Sequence, residues 1–305
     1  GNWARPIGAP FSDWNGPILA ENTNLSAQEI LAGFEVSGLT TQGFQPLTHA
    51  PTDDLERYGA SVSDLSQGWA AFIADQEAQW PKHFKKMRRV CRNVERDFAE
   101  SHFDWDDRSD ASFLRLMTLK REQYARTGYF DVLNAPWTRA LFDRLRQFEG
   151  PRLRARMSSL YFGDQMAAGE FNLQSDTVLH GWITAFDQTF SKYSPGNMLV
   201  QDVLSQMTDA GLHLYDSGPG LDHYKRHYSN AQIAVESGVL AGNSTALNPA
   251  RVAGQVWRLG EQVMPRPASA IMARVRRRRD QSAAVDASLA GRASGLLSAL
   301  QNRPV

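Results

Sequence analysis

The chain has 305 residues, of which 42% are hydrophobic and 22% are charged, as is ordinary for a folded soluble protein. Its length favours two domains, its single cysteine excludes an internal disulfide, and no apolar run approaches the ~20 residues that span a bilayer. Acidic and basic residues balance at 33 each, but residues 243–305 carry ten arginines, no lysine and three acids. We therefore expect a cytoplasmic protein whose basic end meets an anionic partner or the acidic remainder of the chain.

The first half of the chain is predicted to contain loops, one short strand and several helices. Residues 1–20 favour strand ends and loops, and Ser26 caps a helix over Ala27–Phe34, with Glu29 completing a capping box. The further elements, in chain order, are a strand over Phe44–Leu47, a helix from Asp64 to about Phe98 that breaks near Pro81 and is basic in its second half, an acidic connector over Phe103–Asp110, and helices over Ser112–Thr127 and Trp137–Phe148.

The pattern then changes to strands. Tight turns separate three runs that predict an antiparallel meander, and a helix with Gly211 at its C-cap follows a loop. In chain order these are strands over Leu153–Phe162, Met166–Gln174 and Thr177–Phe186, a loop over Asp187–Asn197, a helix over Asn197–Ala210, strands over Leu212–Tyr215 and Gln232–Leu240, and two or three helices after Asn243 with Pro265 and Pro267 between them.

The loop before the Asn197–Ala210 helix is a candidate anion site. Free N–H groups and the positive end of the helix dipole converge where this helix begins, which suits a pyrophosphate. Gly196 would let the backbone approach such a ligand closely. An ordinary helix start with a Ser-Pro-Gly turn is the alternative.

Three segments form a recognisable set: Gly181-Trp-Ile-Thr-Ala-Phe-Asp187, Tyr193-Ser-Pro-Gly196 before an apolar helix, and Asp216-Ser-Gly-Pro-Gly220 leading into Tyr224-Lys225. They resemble the CelD/BcsL-like branch of the GNAT acyltransferase superfamily, which is associated with bacterial exopolysaccharide synthesis and related to Fem-type peptidyltransferases, although Ser217 stands where that family has leucine. Ser12-Asp13-Trp14 with Gly16-Pro17 and the basic helix Lys82–Arg96 are similar to upstream family segments. The resemblance covers about residues 1–240.

The resemblance implies an α+β, GNAT-like fold with tandem Fem-like lobes, of which the first is incomplete, and a helical basic tail. The implied domains are a partial N-terminal lobe at 1–60, a basic linker helix and connector at 61–110, a C-terminal GNAT lobe at 111–242 and an arginine-rich tail at 243–305. Acetyl-CoA is the implied donor. Its pyrophosphate is expected on Tyr193, Ser194, Gly196 and Asn197, and its pantetheine arm between the splayed strands Thr177–Phe186 and Leu212–Tyr215.

Acyl transfer to an amine requires a base, an oxyanion donor and an acid for the thiolate. The first candidate base is Asp216, at a strand end beside the splay, with a turn-capping role as its alternative. Lys225 is the candidate for phosphate or oxyanion binding, and its alternative is an ordinary surface lysine. Tyr224 is the candidate acid, and its alternative is a packing role. His180 and Glu170 are further candidates that could instead be structural.

His213, Asp216, His223 and His227 could together suggest a metal site, since His223 and His227 are four residues apart. No metal is expected, because the cations Lys225 and Arg226 lie between those two histidines and would repel a metal ion. Cys91 is expected to be a bland thiol, although the neighbouring cations could lower its pKa. The arginine run of the tail, Arg274 with Arg276, Arg277, Arg278 and Arg279, could meet the acidic body, an anionic membrane surface or a phosphate ligand such as cyclic di-GMP.

The predicted function is N-acetyl transfer to an amino sugar of an exopolysaccharide or its precursor, with no nucleic acid as partner. The alternatives are a Fem-like aminoacyl or peptidyl transferase that uses a charged tRNA, and a non-catalytic effector whose tail binds an anionic ligand.

Overall fold

A computed structural model describes residues 3–9, 11–20, 23, 25–46, 55–98, 100–219, 225–241, 256–257 and 259–285. The chain divides into two compact units, one of residues 1–58, 128–132 and 234–305 and the other of residues 59–127 and 133–233. The helices and strands are β1 (Trp3–Ala4), α1 (Ala27–Gly33), β2 (Gly38–Phe44), β3 (Glu56–Asp64), α2 (Trp69–Gln79), α3 (Pro81–Asp97), β4 (Ser101–Asp104), α4 (Asp110–Thr127), α5 (Pro136–Gln147), β5 (Arg154–Phe162), β6 (Gln165–Gln174), β7 (Val178–Phe186), α6 (Pro195–Met207), β8 (Leu214–Pro219), β9 (Ala231–Ala241) and α7 (Arg266–Val285).

The 59–233 unit is built on a mixed sheet in which the strand order is β3-β8-β7-β6-β5-β4. Strands β5, β6 and β7 form the predicted antiparallel meander, within one residue of the predicted bounds. Gly163, with a φ of +58°, makes the first tight turn, since its backbone conformation is costly for other residues. The predicted α+β, GNAT-like class is confirmed by this mixed sheet and its helices.

Helices α3 and α6 bury their apolar faces in one core with β5, β7 and β8. From α3 come Phe84, Val90 and Val94, and from α6 come five side chains, Leu199, Val200, Val203, Leu204 and Met207. The predicted break near Pro81 is confirmed: Pro81 is the first residue of α3, where its missing N–H costs nothing.

The helix predicted to begin at Asp64 begins instead at Trp69, and Asp64 is the last residue of β3, a strand that was not predicted. Gly68 has a φ of +83°, outside the helical region, so the helix cannot extend further towards its N-terminus. The acidic connector predicted over Phe103–Asp110 is also wrong in part, because β4 occupies its first two residues and pairs with β5.

In the other unit, β1, β2 and β9 lie side by side, and α1 begins with the predicted capping box. Ser26 Oγ accepts a hydrogen bond from Glu29 N (3.2 Å), and the Glu29 carboxylate accepts one from Ser26 N (2.8 Å). The strand predicted over Phe44–Leu47 is wrong for residues 45 and 46, because β2 ends at Phe44, and Leu47 lies outside the described residues. The ladder is disturbed between Thr41 and Phe44, where Gly43 has a φ of +65°, and Pro46 has no N–H to continue it.

Helix α7 confirms one of the helices predicted after Asn243, although Pro267 is its second residue and does not lie between two helices as predicted. A bidentate ion pair holds it to the preceding helical segment, 259–263, because Arg276 Nε and Nη2 lie 2.8 and 3.1 Å from the Glu261 carboxylate oxygens. None of the described helices has the length and apolar character needed to cross a membrane.

Candidate active site

Strands β7 and β8 run parallel for only three residue pairs and then part. The pairs are Val178 with Leu214, Leu179 with Tyr215 and His180 with Asp216. Beyond them β7 continues to Phe186 beside β6, and β8 continues to Pro219 beside β3. The sheet therefore opens at His180 and Asp216, and we call this opening the fork.

Asp216 lies inside β8 and not at the end of a strand, which corrects the predicted strand Leu212–Tyr215. The N–H of Leu212 is used to close α6 on the carbonyl of Met207, after the left-handed Gly211 (φ +75°). The strand therefore begins only at Leu214 and reaches Pro219. This places Asp216 at the fork itself.

The fork brings His180 and Asp216 together. His180 Nδ1 lies 2.9 Å from Asp216 Oδ2, and Asp216 Oδ1 accepts a hydrogen bond from Gly218 N at 2.8 Å. Both side chains are largely buried, at 14% and 8% exposure. With the carboxylate accepting from Nδ1–H, Nε2 is the basic nitrogen of the ring, the arrangement by which a histidine acts as a proton acceptor.

The two faces of the sheet at the fork carry different groups. Leu179 and Tyr215 belong to the core that α6 covers. Because side chains alternate along a strand, their neighbours His180 and Asp216 lie on the opposite face. A reactant held by α6 and a reactant held near His180 would thus approach the fork from opposite sides.

The start of α6 has the geometry of an anion site. Ser194 has left-handed backbone angles (φ 51°, ψ 49°) directly before Pro195, which is uncommon for a residue with a side chain and disfavoured before proline. Its hydroxyl makes no capping hydrogen bond. Gly196 is the second residue of the helix, so its N–H has no acceptor within the helix. A Cβ added at Gly196 would meet only Phe186 Cδ1, at 3.7 Å.

Two further residues were predicted to bind acetyl-CoA, Asn197 and Tyr193, and their surroundings differ. Asn197 Oδ1 is buried without a hydrogen-bond partner, and an acceptor in that state calls for a donor from a ligand or from water. Tyr193 is buried in the core, and its hydroxyl donates to Asp97 Oδ2 at 2.7 Å. Its position therefore ties α3 to the loop before α6.

Lys225, the residue predicted to bind a phosphate or the oxyanion, contacts the last residue of β8. Lys225 is buried, and its Nζ donates to the Pro219 carbonyl at 3.4 Å. Tyr224 lies outside the described residues, so its predicted role as the acid stays a prediction.

Glu170, Tyr215 and Thr184 form a hydrogen-bonded group beside the fork, and only Glu170 among them was predicted as a candidate. Glu170 on β6 is fully buried and accepts hydrogen bonds from Tyr215 Oη (2.9 Å) and Thr184 Oγ1 (3.1 Å). Burial raises the pKa of Glu170 above its ordinary value, although both hydroxyls and the charge of His180 act to lower it. Tyr215 could have been found only from the register between β7 and β8, which places its side chain within reach of Glu170 on β6.

The other predicted sites resolve as follows. No group of three metal-ligating side chains occurs in the part of the chain that is described. Burial raises the pKa of the Cys91 thiol, which makes it less reactive. In the tail, Arg276 pairs with Glu261, and the side chains of Arg274, Arg277, Arg278 and Arg279 lie outside the described part.

Residues 81–226 match the family model described as the acetyltransferase (GNAT) domain. Among curated proteins, none matches the chain. Of solved structures, the chain is similar to the C-terminal DUF2156 domain of a protein described as a lysylphosphatidylglycerol synthetase from Agrobacterium fabrum, with 13% identity over 72% of each chain and a TM-score of 0.47. It is also similar to a conserved protein of unknown function from Bacteroides thetaiotaomicron, with 12% identity over 62% of each chain and a TM-score of 0.40.

Proposed function

We propose, from the GNAT-type acetyltransferase domain at residues 81–226, that this chain transfers the acetyl group of acetyl-CoA to an amino group of a bacterial exopolysaccharide or of its sugar precursor. Acyl transfer follows from the domain. The choice of acetyl-CoA and of an amino sugar rests on the motifs around Gly181–Asp187, Tyr193–Gly196 and Asp216–Gly220, which resemble exopolysaccharide acetyltransferases.

The observation that carries the proposal is the fork between β7 and β8, with the His180–Asp216 pair at its base and the start of α6 at the end of β7. A gap between two parallel strands leaves their facing N–H and C=O groups without ladder partners. An extended arm that carries amide groups of its own could pair with those groups. The pantetheine arm of CoA has this chemistry.

The residues at the start of α6 fit the rest of the donor. Gly196 offers an N–H group at the positive end of the helix dipole and space for close approach, which suits a pyrophosphate. The unpartnered Asn197 Oδ1 can accept from an amide N–H of the arm. When bound, acetyl-CoA supplies the electrophilic thioester carbonyl.

In the proposed mechanism the protein's groups act on the acceptor amine. His180 removes the amine proton at Nε2, and Asp216 holds the ring in that tautomer and stabilises the charge that develops. The Gly218 N–H keeps the second carboxylate oxygen in place. Lys225 is buried and donates to the carbonyl of Pro219, the last residue of β8, and it is proposed to stabilise the oxyanion or a donor phosphate.

Calorimetric titration with CoA tests the donor site. We expect wild type to bind and Gly196→Val to lose binding, because the branched side chain would occupy the space that a pyrophosphate needs. Gly33→Val is the matched control, since a Cβ at Gly33 has no atom within 4 Å and α1 is remote in sequence from the site. Equal CoA binding by Gly196→Val and wild type would show that Gly196 does not form the pyrophosphate site.

Turnover with a panel of amino sugars tests the chemistry. His180→Gln and Asp216→Asn should each lower kcat about 10²-fold or more, the usual scale for a positioned acid or base. CoA affinity should be unchanged in both, because neither side chain lies on the α6 face. Near-normal rates in both variants would make the pair structural.

A second candidate is aminoacyl transfer from a charged tRNA, which the surface of α3 favours. Its exposed side chains are strongly basic and include Lys82, Lys85, Lys86, Arg89 and Arg92. Such a face suits a phosphate backbone, and its binding would weaken steeply with salt. Tight tRNA binding at physiological salt, without CoA binding, would favour this candidate over the first.

A further inference from the structure

Two helical segments near the end of the chain pack on each other: a first segment that ends at residue 263, and α7. Trp257 Nε1 of the first segment donates to the Met272 carbonyl of α7 at 3.3 Å. Arg276 of α7 holds the Glu261 carboxylate with two hydrogen bonds, at 2.8 and 3.1 Å. The first segment therefore uses the side that carries Trp257 and Glu261 to contact α7.

Large apolar side chains on these two segments are exposed to water. Of the seventeen such side chains that are exposed in the described part of the chain, six lie within residues 256–271. Val256, Leu259 and Val263 are 63%, 60% and 75% exposed, and their spacing of three and four residues places them on one side of the first segment. The other three are Trp257, Met264 and Ile271. Exposed apolar side chains concentrated in one short segment are typical of a surface that meets another molecule or a membrane.

The same segment of the chain is strongly basic. Residues 256–279 carry seven arginines, no lysine and one acid, Glu261, which gives a formal net charge of +6. Because Glu261 already pairs with Arg276, it does not neutralise the other arginines. Arg266 is exposed at the first position of α7. Guanidinium groups bind phosphate oxygens through paired hydrogen bonds and keep their charge at all physiological pH values, so this composition suits a partner rich in phosphate.

An anionic membrane surface offers both of the chemistries that this segment requires. Its lipid phosphates lie at the level of the headgroups and its acyl chains begin just beneath them, so arginines and apolar side chains of one helical segment can bind it together. Tryptophan is enriched at that depth, and Trp257 is 38% exposed. Carboxylates of the acidic remainder of the chain, or the phosphates of a cyclic dinucleotide, would satisfy the arginines alone.

We propose that residues 256–279 bind an anionic lipid surface, with the six exposed apolar side chains inserted at the boundary between headgroups and acyl chains and the arginines on lipid phosphates. Among the three partners that the sequence left open for the arginine run, this inference selects the membrane. The binding requires neither a donor nor an acceptor, so it can be tested separately from the proposed function.

Co-sedimentation of the full chain with lipid vesicles tests the proposal. At physiological salt we expect wild type to bind phosphatidylcholine vesicles that contain phosphatidylglycerol at least about tenfold more tightly than pure phosphatidylcholine vesicles, because several arginines gain an attraction. Leu259→Ser with Val263→Ser should weaken this binding about tenfold or more, since two apolar side chains no longer leave water. Leu114→Ser with Ile18→Ser is the matched control, because these apolar side chains are also exposed but lie outside the segment, and it should bind as wild type does.

Three results would overturn the proposal. The first is a lack of binding to phosphatidylglycerol vesicles by wild type at physiological salt. The second is equal binding of wild type to both kinds of vesicle, or undiminished binding by Leu259→Ser with Val263→Ser, since the arginines or the apolar side chains would then have no part in it. The third is a wild-type dimer in sedimentation equilibrium that the same double variant abolishes, which would assign these side chains to a second copy of the chain. None of these results concerns CoA binding, on which the proposed function is judged.

The single cysteine allows the apolar contact itself to be measured. In a Cys91→Ser chain, a polarity-sensitive fluorophore attached at Val263→Cys should emit at shorter wavelength when phosphatidylglycerol vesicles are added. The same fluorophore at Leu114→Cys, another exposed position, should show no change. Vesicle binding without a shift at position 263 would mean that the arginines alone hold the chain at the surface, and would overturn the proposed insertion.

Discussion

The space above Gly181 can be tested by filling it. In Gly181→Ala the new methyl group would lie 2.3 Å from Tyr215 Oη and 2.8 Å from Cζ, far inside contact distance. The backbone conformation does not itself disfavour alanine, because Gly181 does not have a positive φ. The side chain of Tyr215 must therefore move, and the hydrogen bond to the buried carboxyl of Glu170 must break.

The expected loss of stability follows from two contributions. A buried acceptor deprived of its hydrogen bond costs about 1–3 kcal/mol, and one extra methyl group in a packed core costs about 1–3 kcal/mol. Because some relaxation of the tyrosine relieves both, we expect the free energy of unfolding to fall by about 2–4 kcal/mol.

Urea denaturation of wild type and variant measures this difference, read from the midpoint at constant m. Gly196→Ala is the control: its Cβ would make ordinary contact with Phe186 Cδ1 at 3.7 Å, so the change should be under about 0.5 kcal/mol. Removing the hydroxyl first, in Tyr215→Phe, should make the effect of Gly181→Ala smaller than in wild type. If Gly181→Ala is as stable as wild type, the Tyr215 hydroxyl does not pass over Gly181 to reach Glu170.

Two further predictions concern groups outside the fork. Burial raises the pKa of Asp202 from 3.8 to about 7, so the folded protein keeps a proton that the unfolded chain releases and stability falls as pH rises from about 4 to 7. Asp202→Asn should abolish this fall and be more stable than wild type at pH 8 by about 2 kcal/mol, below the upper limit of about 4 kcal/mol that 1.36 kcal/mol per pKa unit gives. Urea denaturation at pH 5 and pH 8 measures this, and an equal change in unfolding free energy between the two pH values in both proteins would contradict it. In the tail, Arg277→Ala with Arg278→Ala should weaken binding to anionic vesicles by about 1 kcal/mol per arginine, with cyclic di-GMP titrated in parallel at low and physiological salt. Binding of wild type to neither at physiological salt would leave the arginines an intramolecular role.

Local signals in the sequence were sufficient for the elements that depend on neighbouring residues. Ser26 and Glu29 specify a cap that involves four consecutive residues, and Gly211 marks a helix end through its own backbone angle. The meander was predictable for the same reason, because tight turns join its strands. The strand–loop–helix order predicted a helix beginning at Asn197, two residues after the observed start of α6 at Pro195.

Pairing between residues far apart in the sequence limited what could be predicted of the fold and the candidate site. Strand β3 was missed because its partner, β8, lies more than 150 residues away, as in the pair Val62 with Asp216. The approach of His180 to Asp216 and of Tyr215 to Glu170 depends on the register between β7 and β8, which no pattern within either strand encodes. Individual residues could therefore be named from the sequence, but not the pairs that they form.

The pairing of β3 with β8 also determines where the protein can be cut. The family match begins at residue 81, after β3 has ended at Asp64. A fragment of residues 81–226 would lack the strand that covers one side of β8, and the row of N–H and C=O groups beside Asp216 would become an open sheet edge. Such an edge pairs readily with other chains, so this fragment should self-associate, whereas one that begins ahead of Glu56 keeps the edge covered.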